Sequence, residues 1–277
     1  MYSAFRLALL LFVVIIPLTL SAQTNFPLMT AKERTLLSFQ FQHPFFKSGT
    51  TDFTLLSGTY DLTLVAPVNR TLSIVGTLPY AAYATSSKFY SESASALANI
   101  SIGVNKSFES GTSMLTGKVF LPTAPSDGAN ASAALYGLFH HYYDLEQYLP
   151  EALGIQTRYY FQKNFNGLLL GGVIGGTALI PTGNGFEEVE VLARYGVSGG
   201  YESKDFRAVI EFVGIGIVTE GDGIFSEGNT QHFITLGGQW TGGSVAKPRI
   251  NVHIPLGDEI SDIYGSALTL GCDFVFP

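Results

Sequence analysis

The chain has 277 residues, only 13% of them charged, and a net charge of −7 at pH 7. This negative charge argues against nucleic acid as a partner, because nucleic-acid-binding proteins usually present a basic surface. A single cysteine, Cys272, excludes an intramolecular disulfide and a cluster of thiolate metal ligands. His140 and Asp144 are four residues apart on a predicted helix and could share a metal ion, but two ligands make a poor site. We therefore expect no metal and no cofactor.

The N-terminal residues have the composition of a secretory signal peptide. Arg6 precedes an apolar run over 7–20, and the small residues Ser21 and Ala22 follow it. The run is short for a membrane-spanning helix. We therefore expect cleavage after Ala22, so that 1–22 is a signal peptide and 23–277 is the mature protein.

Segments of alternating hydrophobicity follow one another along the rest of the chain. In the first of them, 33–46, Phe39 and Phe41 share one face and Gln40 and Gln42 share the other. Side chains of a strand point alternately to opposite sides, so each segment predicts a strand with one apolar and one polar face. Twelve segments of this kind occur, at 33–46, 57–66, 71–82, 98–108, 113–122, 154–162, 167–181, 188–201, 206–218, 230–241, 249–256 and 264–277.

The connections between these segments alternate in length. Short ones such as 67–70 and 202–205 are followed by longer ones such as 83–97 and 219–229. Outer-membrane barrels have an even number of strands, short periplasmic turns and longer external loops. We therefore predict an all-β fold: a transmembrane antiparallel up-and-down β-barrel of about 12 strands over 23–277, in the bacterial outer membrane. A secreted β-sandwich remains the alternative, although it does not explain the difference in loop length.

The longest connection, 123–153, carries a helical pattern. Its apolar residues recur at spacings of three and four, and Pro150 ends the pattern. We predict a short helix in this third external loop, with an apolar stripe that consists of Leu135, Leu138, Tyr142, Leu145 and Leu149. If the helix folds inward, it forms an aromatic gate over the barrel mouth from Tyr136, Phe139, Tyr142 and Tyr143. Packing on the outer rim is the alternative.

The C-terminal strand, 264–277, supplies a further indication. Its lipid face ends in Phe274 and Phe276, and an aromatic residue at this position resembles the assembly signal of outer-membrane barrels, although Pro277 follows here. The resemblance implies the barrel-assembly machinery as a partner during biogenesis. The other predicted partners are outer-membrane lipid and a small-molecule solute.

Stretches at 58–81, 100–108, 117–124 and 178–185 make the chain resemble a bacterial outer-membrane family. This family is named for the MetA pathway of phenol degradation and is also described as a transporter family. The resemblance implies passage of small, often hydrophobic or aromatic molecules through the outer membrane. Members usually carry an Asp just before the fourth strand, where this chain has Asn99.

Few charged residues alternate toward the predicted lumen. They are Asp61, Lys118, Arg158, Glu190, Arg194, Arg207, Glu211 and Asp273. A turn at 202–205 would place Gly196 opposite Glu211 and make Arg194 its diagonal neighbour, within reach for an ion pair. Such charges form either structural pairs or a selectivity ring.

The predicted outer loops hold fourteen acidic residues, among them Asp144 and Glu146, against Lys47 and Lys88. They indicate a solvated mouth or, alternatively, a surface that concentrates cations.

The expected function is a channel for passive passage of small, possibly hydrophobic or aromatic solutes. The alternatives are a structural or adhesive barrel with a plugged lumen and, as a third choice, an outer-membrane hydrolase. A hydrolase needs Ser, His and an acid together, and His253 is the histidine that alternates inward.

Overall fold

The computed structural model describes residues 34–47, 53–86, 91–108, 112–183, 187–219, 230–256, 261 and 264–276. The predicted signal peptide, 1–22, and Pro277 lie outside this part of the chain. The strands are β1 (Thr35–Phe46), β2 (Gly58–Pro67), β3 (Leu72–Ser86), β4 (Ser91–Leu97), β5 (Ser101–Ser107), β6 (Ser113–Phe120), β7 (Ala152–Phe165), β8 (Leu168–Pro181), β9 (Glu190–Glu202), β10 (Phe206–Ile217), β11 (Thr230–Trp240), β12 (Ala246–Pro255) and β13 (Tyr264–Phe276). The connection between β6 and β7 contains the helix α1 (Gly128–His140) and a 3₁₀ helix (Tyr142–Gln147).

These strands close into one antiparallel barrel, because β1 pairs with β13 and β2 pairs with both β1 and β3. The short strands β4 and β5 both pair with β3 and are two halves of one barrel strand, so the closed barrel has 12 strands. This confirms the predicted fold class. A closed barrel satisfies every backbone group between strands, which is required of a sheet that faces hydrocarbon.

Side chains alternate around the wall as the sequence pattern predicts. On β10, Arg207 and Glu211 are buried inside the barrel, whereas Ile210 and Phe212 are exposed on its outer surface. The outer surface is apolar over most strands, and the inner face carries polar residues together with a cluster of apolar ones. Among the described residues, no helix is long and apolar enough to cross a membrane.

The turns at one end are tight. Between β7 and β8, Asn166 and Gly167 take φ values of 55° and 99°, and Phe165 pairs with Leu168. Positive φ at both central residues is the geometry of the two-residue hairpin turn that Asn-Gly favours.

The fourth barrel strand differs from the prediction. Residues 83–97 were predicted as a loop. Instead, β3 extends to Ser86, and β4 follows and pairs with the C-terminal half of β3. The inner face of this hairpin is covered by α1, where Ala133 and Tyr136 pack against Tyr83 and Ala96. Packing against the helix therefore stabilises this hairpin.

The predicted helix in the longest connection exists, but it is not continuous. α1 ends at His140, and the 3₁₀ helix begins at Tyr142 after a break at His141. The predicted apolar stripe is buried in part. Leu145 and Leu149 are buried, whereas Leu135 is exposed and lies outside the packed face.

Candidate functional site

The polypeptide between β6 and β7 crosses the inside of the barrel. We call residues 128–149 of this connection the inner segment. Its contacts reach Asp61 on β2 and Arg194 on β9, strands that lie on opposite sides of the closed barrel. A segment bound to opposite walls must pass through the lumen.

Asn99, in the gap between β4 and β5, fixes the last turn of the inner segment. Its side-chain amide donates to the main-chain carbonyl oxygens of Glu146 at 2.9 Å and Leu149 at 2.6 Å. Its main-chain N–H donates to the carbonyl oxygen of Gln147 at 2.7 Å. Its side-chain oxygen accepts from Ala124 N–H at 2.9 Å, at the start of the connection. One buried amide therefore holds the connection at both ends.

Two arginines of the barrel wall meet two carboxylates of the inner segment. Arg194 donates to Glu146, and Arg158 donates to Asp144. Arg158 also lies 3.5 Å from Glu146 Oε1, and the side-chain amide of Gln156 donates to the same carboxylate. Both members of the Arg194–Glu146 pair are fully buried, so removal of either one leaves the other buried without its nearest counter-charge.

Tyr143 lies between the same two arginines. Its carbonyl oxygen accepts a hydrogen bond from Arg194 Nε at 2.8 Å. Its ring centroid is 5.0 Å from Cζ of Arg158 and 5.9 Å from Cζ of Arg194. A guanidinium at this distance from an aromatic face is attracted to it.

The opposite wall binds the segment through Asp61. Tyr148 donates its hydroxyl to Asp61 Oδ1 at 2.9 Å, and the imidazole Nε2 of His141 lies 3.9 Å from Oδ2. This carboxylate therefore anchors both sides of the 3₁₀ helix.

Apolar contacts complete the docking. Inward apolar residues of the barrel wall and apolar residues of the inner segment form one packed cluster. The cluster includes Ala81, Leu138, Tyr143, Leu145, Tyr148, Leu149, Leu179, Leu192, Val213, Ile215, Phe233 and Ala267. Burial of a large apolar side chain contributes about 1.5–3 kcal/mol, so the docked position is favoured by packing as well as by charge.

The two carboxylates of the inner segment have different acidities. Burial raises the pKa of Asp144, but the charges of Arg158 and Arg194 outweigh burial and bring the pKa to about 2. Burial raises the pKa of Glu146 more than the charge of Arg194 lowers it. Asp144 is therefore the stronger acid of the two.

A second polar layer lies closer to the end with the tight turns. Arg249 forms an ion pair with Asp273 at 3.2 Å and donates to Ser38 and Gln40 on β1. Its side chain crosses Gly271, where a Cβ atom would lie 2.5 Å from Nε. Asp273 also accepts a hydrogen bond from the side-chain amide of Gln239 at 2.8 Å.

The structure places the sequence-predicted lumen residues as follows. Asp61, Arg158, Glu190, Arg194, Arg207, Glu211 and Asp273 are buried, and Lys118 is half-buried. Asp61, Arg158 and Arg194 contact the inner segment. Asp273 belongs to the second polar layer. Arg207 on β10 faces Gln239 on β11. Of the predicted gate residues, Tyr136 and Tyr143 are buried, Tyr142 is half-buried and Phe139 is exposed.

The predicted register of β9 and β10 was wrong by two residues. Glu211 faces Ser198, and Arg194 faces Ile215. The turn is tighter than predicted because Ser203 N–H donates to Phe206 O at 2.7 Å and Ser203 Oγ accepts from Phe206 N–H at 3.1 Å. The predicted Arg194–Glu211 pair is therefore replaced by the pair of Arg194 with Glu146.

Sequence reasoning missed Asn99, Asp144 and Glu146 as lumen residues. The two acids were predicted in a solvated mouth, yet Glu146 is 1% exposed. The departure from the family pattern at Asn99 was the available signal. An Asp at this position lacks the N–H donors that Glu146 O and Leu149 O require.

His253 does not form the base of a hydrolytic triad. Its two ring nitrogens lie 3.1 Å and 2.9 Å from the hydroxyls of Thr235 and Thr269. Both nitrogens therefore contact threonine rather than a serine and an acid.

Comparison with known proteins agrees with this fold. No family model matches the chain, and no curated protein matches it by sequence. Among solved structures, an outer-membrane channel from Pseudomonas putida F1 is similar over 95% of this chain and 100% of its own, with a TM-score of 0.57 and 13% identity. The NanC porin covers 86% of this chain and 98% of its own, with a TM-score of 0.49 and 8% identity.

The chain thus has the fold of a 12-stranded outer-membrane β-barrel.

Proposed function

We propose that this protein is a channel of the bacterial outer membrane for small solutes, and that the inner segment forms its constriction. The observation that carries the proposal is the bridge across the lumen, from Asp61 on one wall to Arg158 and Arg194 on the other. A polar inner face beneath an apolar outer surface is the arrangement of a barrel that passes solute through its interior.

The solutes are small molecules, with hydrophobic or aromatic character as the resemblance to the MetA-pathway family implies. Aromatic side chains gather where the inner segment meets the mouth. Tyr136 packs against Phe46, Phe53 and Tyr83, with ring centroids 5.0 to 5.9 Å from its own. Rings at these separations attract one another, and the same surface favours an aromatic solute.

Export by the signal peptide and assembly by the barrel-assembly machinery belong to the same proposal. β13 ends with Phe276, which is exposed on the outer surface of the barrel and is available to that machinery and to lipid.

A structural barrel with a permanently plugged lumen is the second candidate. The observation in its favour is the completeness of the docking, since buried ion pairs and the apolar cluster both hold the inner segment. The two candidates differ in whether removal of the segment opens a path.

Replacement of 129–149 by a short Gly-Ser linker separates them. For a channel we expect single-channel conductance in planar bilayers to rise well above the wild-type value, because the bridge across the lumen is gone. Wild type must also conduct, at a lower level. Heat-shifted gel mobility of both proteins serves as the folding control. A folded variant whose conductance stays at the wild-type value would contradict the proposed constriction, and no conductance from either protein would contradict the channel.

A further inference from the structure

The inner face of β6, β7 and β9 carries a cluster of cations. Arg158 and Arg194 lie in one register row, because both pair with Gly175 of β8. Lys118 pairs with Gln156, two residues from Arg158 along β7. Lys118 makes no hydrogen bond or ion pair with any residue that the structure describes, and Arg158 Nε has no hydrogen-bond partner there either. The electrostatic neighbours of Lys118 are Asp144, Arg158, Glu146 and Asp61.

The nearest counter-charges come from the inner segment rather than from the barrel. Asp144 and Glu146 pair with Arg158 and Arg194, whereas the wall itself supplies Asp61 on the far side and Glu190 nearer the mouth. When the segment leaves this position, the cations lose their closest carboxylates. Buried charges without partners are costly, so the emptied site attracts an anion.

The wall also holds neutral donors at the same place. The side-chain amide of Gln156 donates to Glu146, and the hydroxyl of Thr177 accepts from Arg194 Nη1 at 2.5 Å, which leaves its own O–H as a donor. Guanidinium and amide donors that converge on one carboxylate make a recognition site for that group, because charge-assisted hydrogen bonds are stronger than neutral ones.

An aromatic ring accompanies these carboxylates. The ring of Tyr143 lies against Arg158 and Arg194, next in sequence to Asp144. The inner segment therefore presents to the wall a ring and carboxylates, which are the chemical elements of a small aromatic acid.

We propose that Lys118, Arg158 and Arg194 form a binding site for small aromatic carboxylates, and that Tyr143, Asp144 and Glu146 fill this site in the docked state. The role of this site in transport rests on the proposed channel function, but binding of a carboxylate is measured separately from conductance. A carboxylate solute competes with the inner segment for the two arginines, so solute binding and release of the segment are linked.

Benzoate is the probe, and benzyl alcohol is the neutral control of similar shape. In the full-length chain, the double variant Asp144→Asn with Glu146→Gln removes the competing charges with little change of shape. We expect benzoate to bind this variant about tenfold more tightly than wild type, as measured by calorimetry in detergent. Benzyl alcohol should show no comparable gain.

Removal of the wall cations gives the converse result. Arg158→Gln or Arg194→Gln, added to the double variant, should weaken benzoate binding about tenfold or more. The matched control is Lys163→Gln, which removes a cation from an exposed position on the same strand as Arg158 and should change affinity less than about twofold. Arg194→Lys, which keeps the charge, covers the case in which Arg194→Gln does not fold.

The possible outcomes are distinct. Benzoate binding that is unaffected by Arg158→Gln and Arg194→Gln, or absent from the double variant, overturns the proposed site even if the protein conducts. Equal binding of acetate and benzoate overturns the part of the proposal that concerns the aromatic ring. Benzoate binding that depends on the arginines supports the site, even if bilayer recordings show no channel.

Discussion

The side-chain amide of Asn99 donates a hydrogen bond to the carbonyl oxygen of Leu149 at 2.6 Å. This bond ties the end of the inner segment to the gap in the fourth barrel strand, next to the bond from the same amide to Glu146 O. A main-chain carbonyl can only accept, so the position needs a donor.

Asn99→Asp should therefore loosen the inner segment. A carboxylate cannot donate to either carbonyl, and an unsatisfied buried group costs about 1–3 kcal/mol. We expect faster cleavage by chymotrypsin within 128–149 and higher conductance. Asn105→Asp is the control, because it makes the same change on β5, away from the inner segment. Equal protection of wild type and Asn99→Asp would show that Asn99 does not hold the segment.

Charge reversal tests the pair of Arg194 and Glu146. Because both side chains are fully buried, the loss of one partner costs about 3–5 kcal/mol. Arg194→Glu and Glu146→Arg should each increase protease sensitivity of the inner segment, and the double reversal should recover part of the protection. A matching cycle between Arg194 and Glu211 should be additive, since the register separates them. Additive effects in the first cycle would rule out the pairing.

Acid should weaken the docking through Asp144. Its pKa of about 2 in the folded protein lies below the ordinary value, so its contribution is complete above about pH 4 and is lost as the pH falls toward 2. Glu146 acts in the opposite direction, because its pKa is raised and its protonation favours the buried state. Conductance of wild type should rise between pH 4 and pH 2, whereas Asp144→Asn should remove this rise. If the conductance of Asp144→Asn still rises over this pH range, protonation of another group causes the rise and the prediction is wrong.

Gly137 lets α1 pack closely on the 3₁₀ helix. A Cβ atom at this position would lie 2.4 Å from the ring of Tyr148. Gly137→Ala should therefore displace Tyr148 from Asp61, and overpacking of this kind costs about 1–3 kcal/mol. We expect higher conductance, while Gly117→Ala, whose Cβ has its nearest neighbour at 4.0 Å, should leave conductance unchanged. Equal behaviour of the two variants would mean that the Tyr148 contact does not control the constriction.

The barrel itself should be heat-modifiable. Every described strand except β4, which pairs with β3, has at least two paired neighbours, so the barrel resists unfolding in cold detergent. Unboiled protein should migrate differently from boiled protein in gel electrophoresis, and circular dichroism should show predominantly β-structure. Identical mobility together with a helical spectrum is incompatible with this fold.

The alternation of apolar and polar residues in the sequence determined where the strands lie and which side chains face the barrel interior. The pleat of a strand repeats every two residues, so the assignment of Asp61, Arg194 and Glu211 to the inner face required no knowledge of their neighbours. Likewise, Asn166 and Gly167 set a tight turn by their own backbone preferences. These properties follow from sequence because they depend on residues that are adjacent in the chain.

Tertiary structure alone decided which inward residues meet. A register shift of two residues keeps every side chain on its face, so the alternation of β9 and β10 could not reveal that Ser198, rather than Gly196, faces Glu211. The acids Asp144 and Glu146 carry no periodic signal for a barrel interior. They lie there because closure of the barrel places Arg158 and Arg194 opposite the returning inner segment, and a buried charge requires a partner across that space.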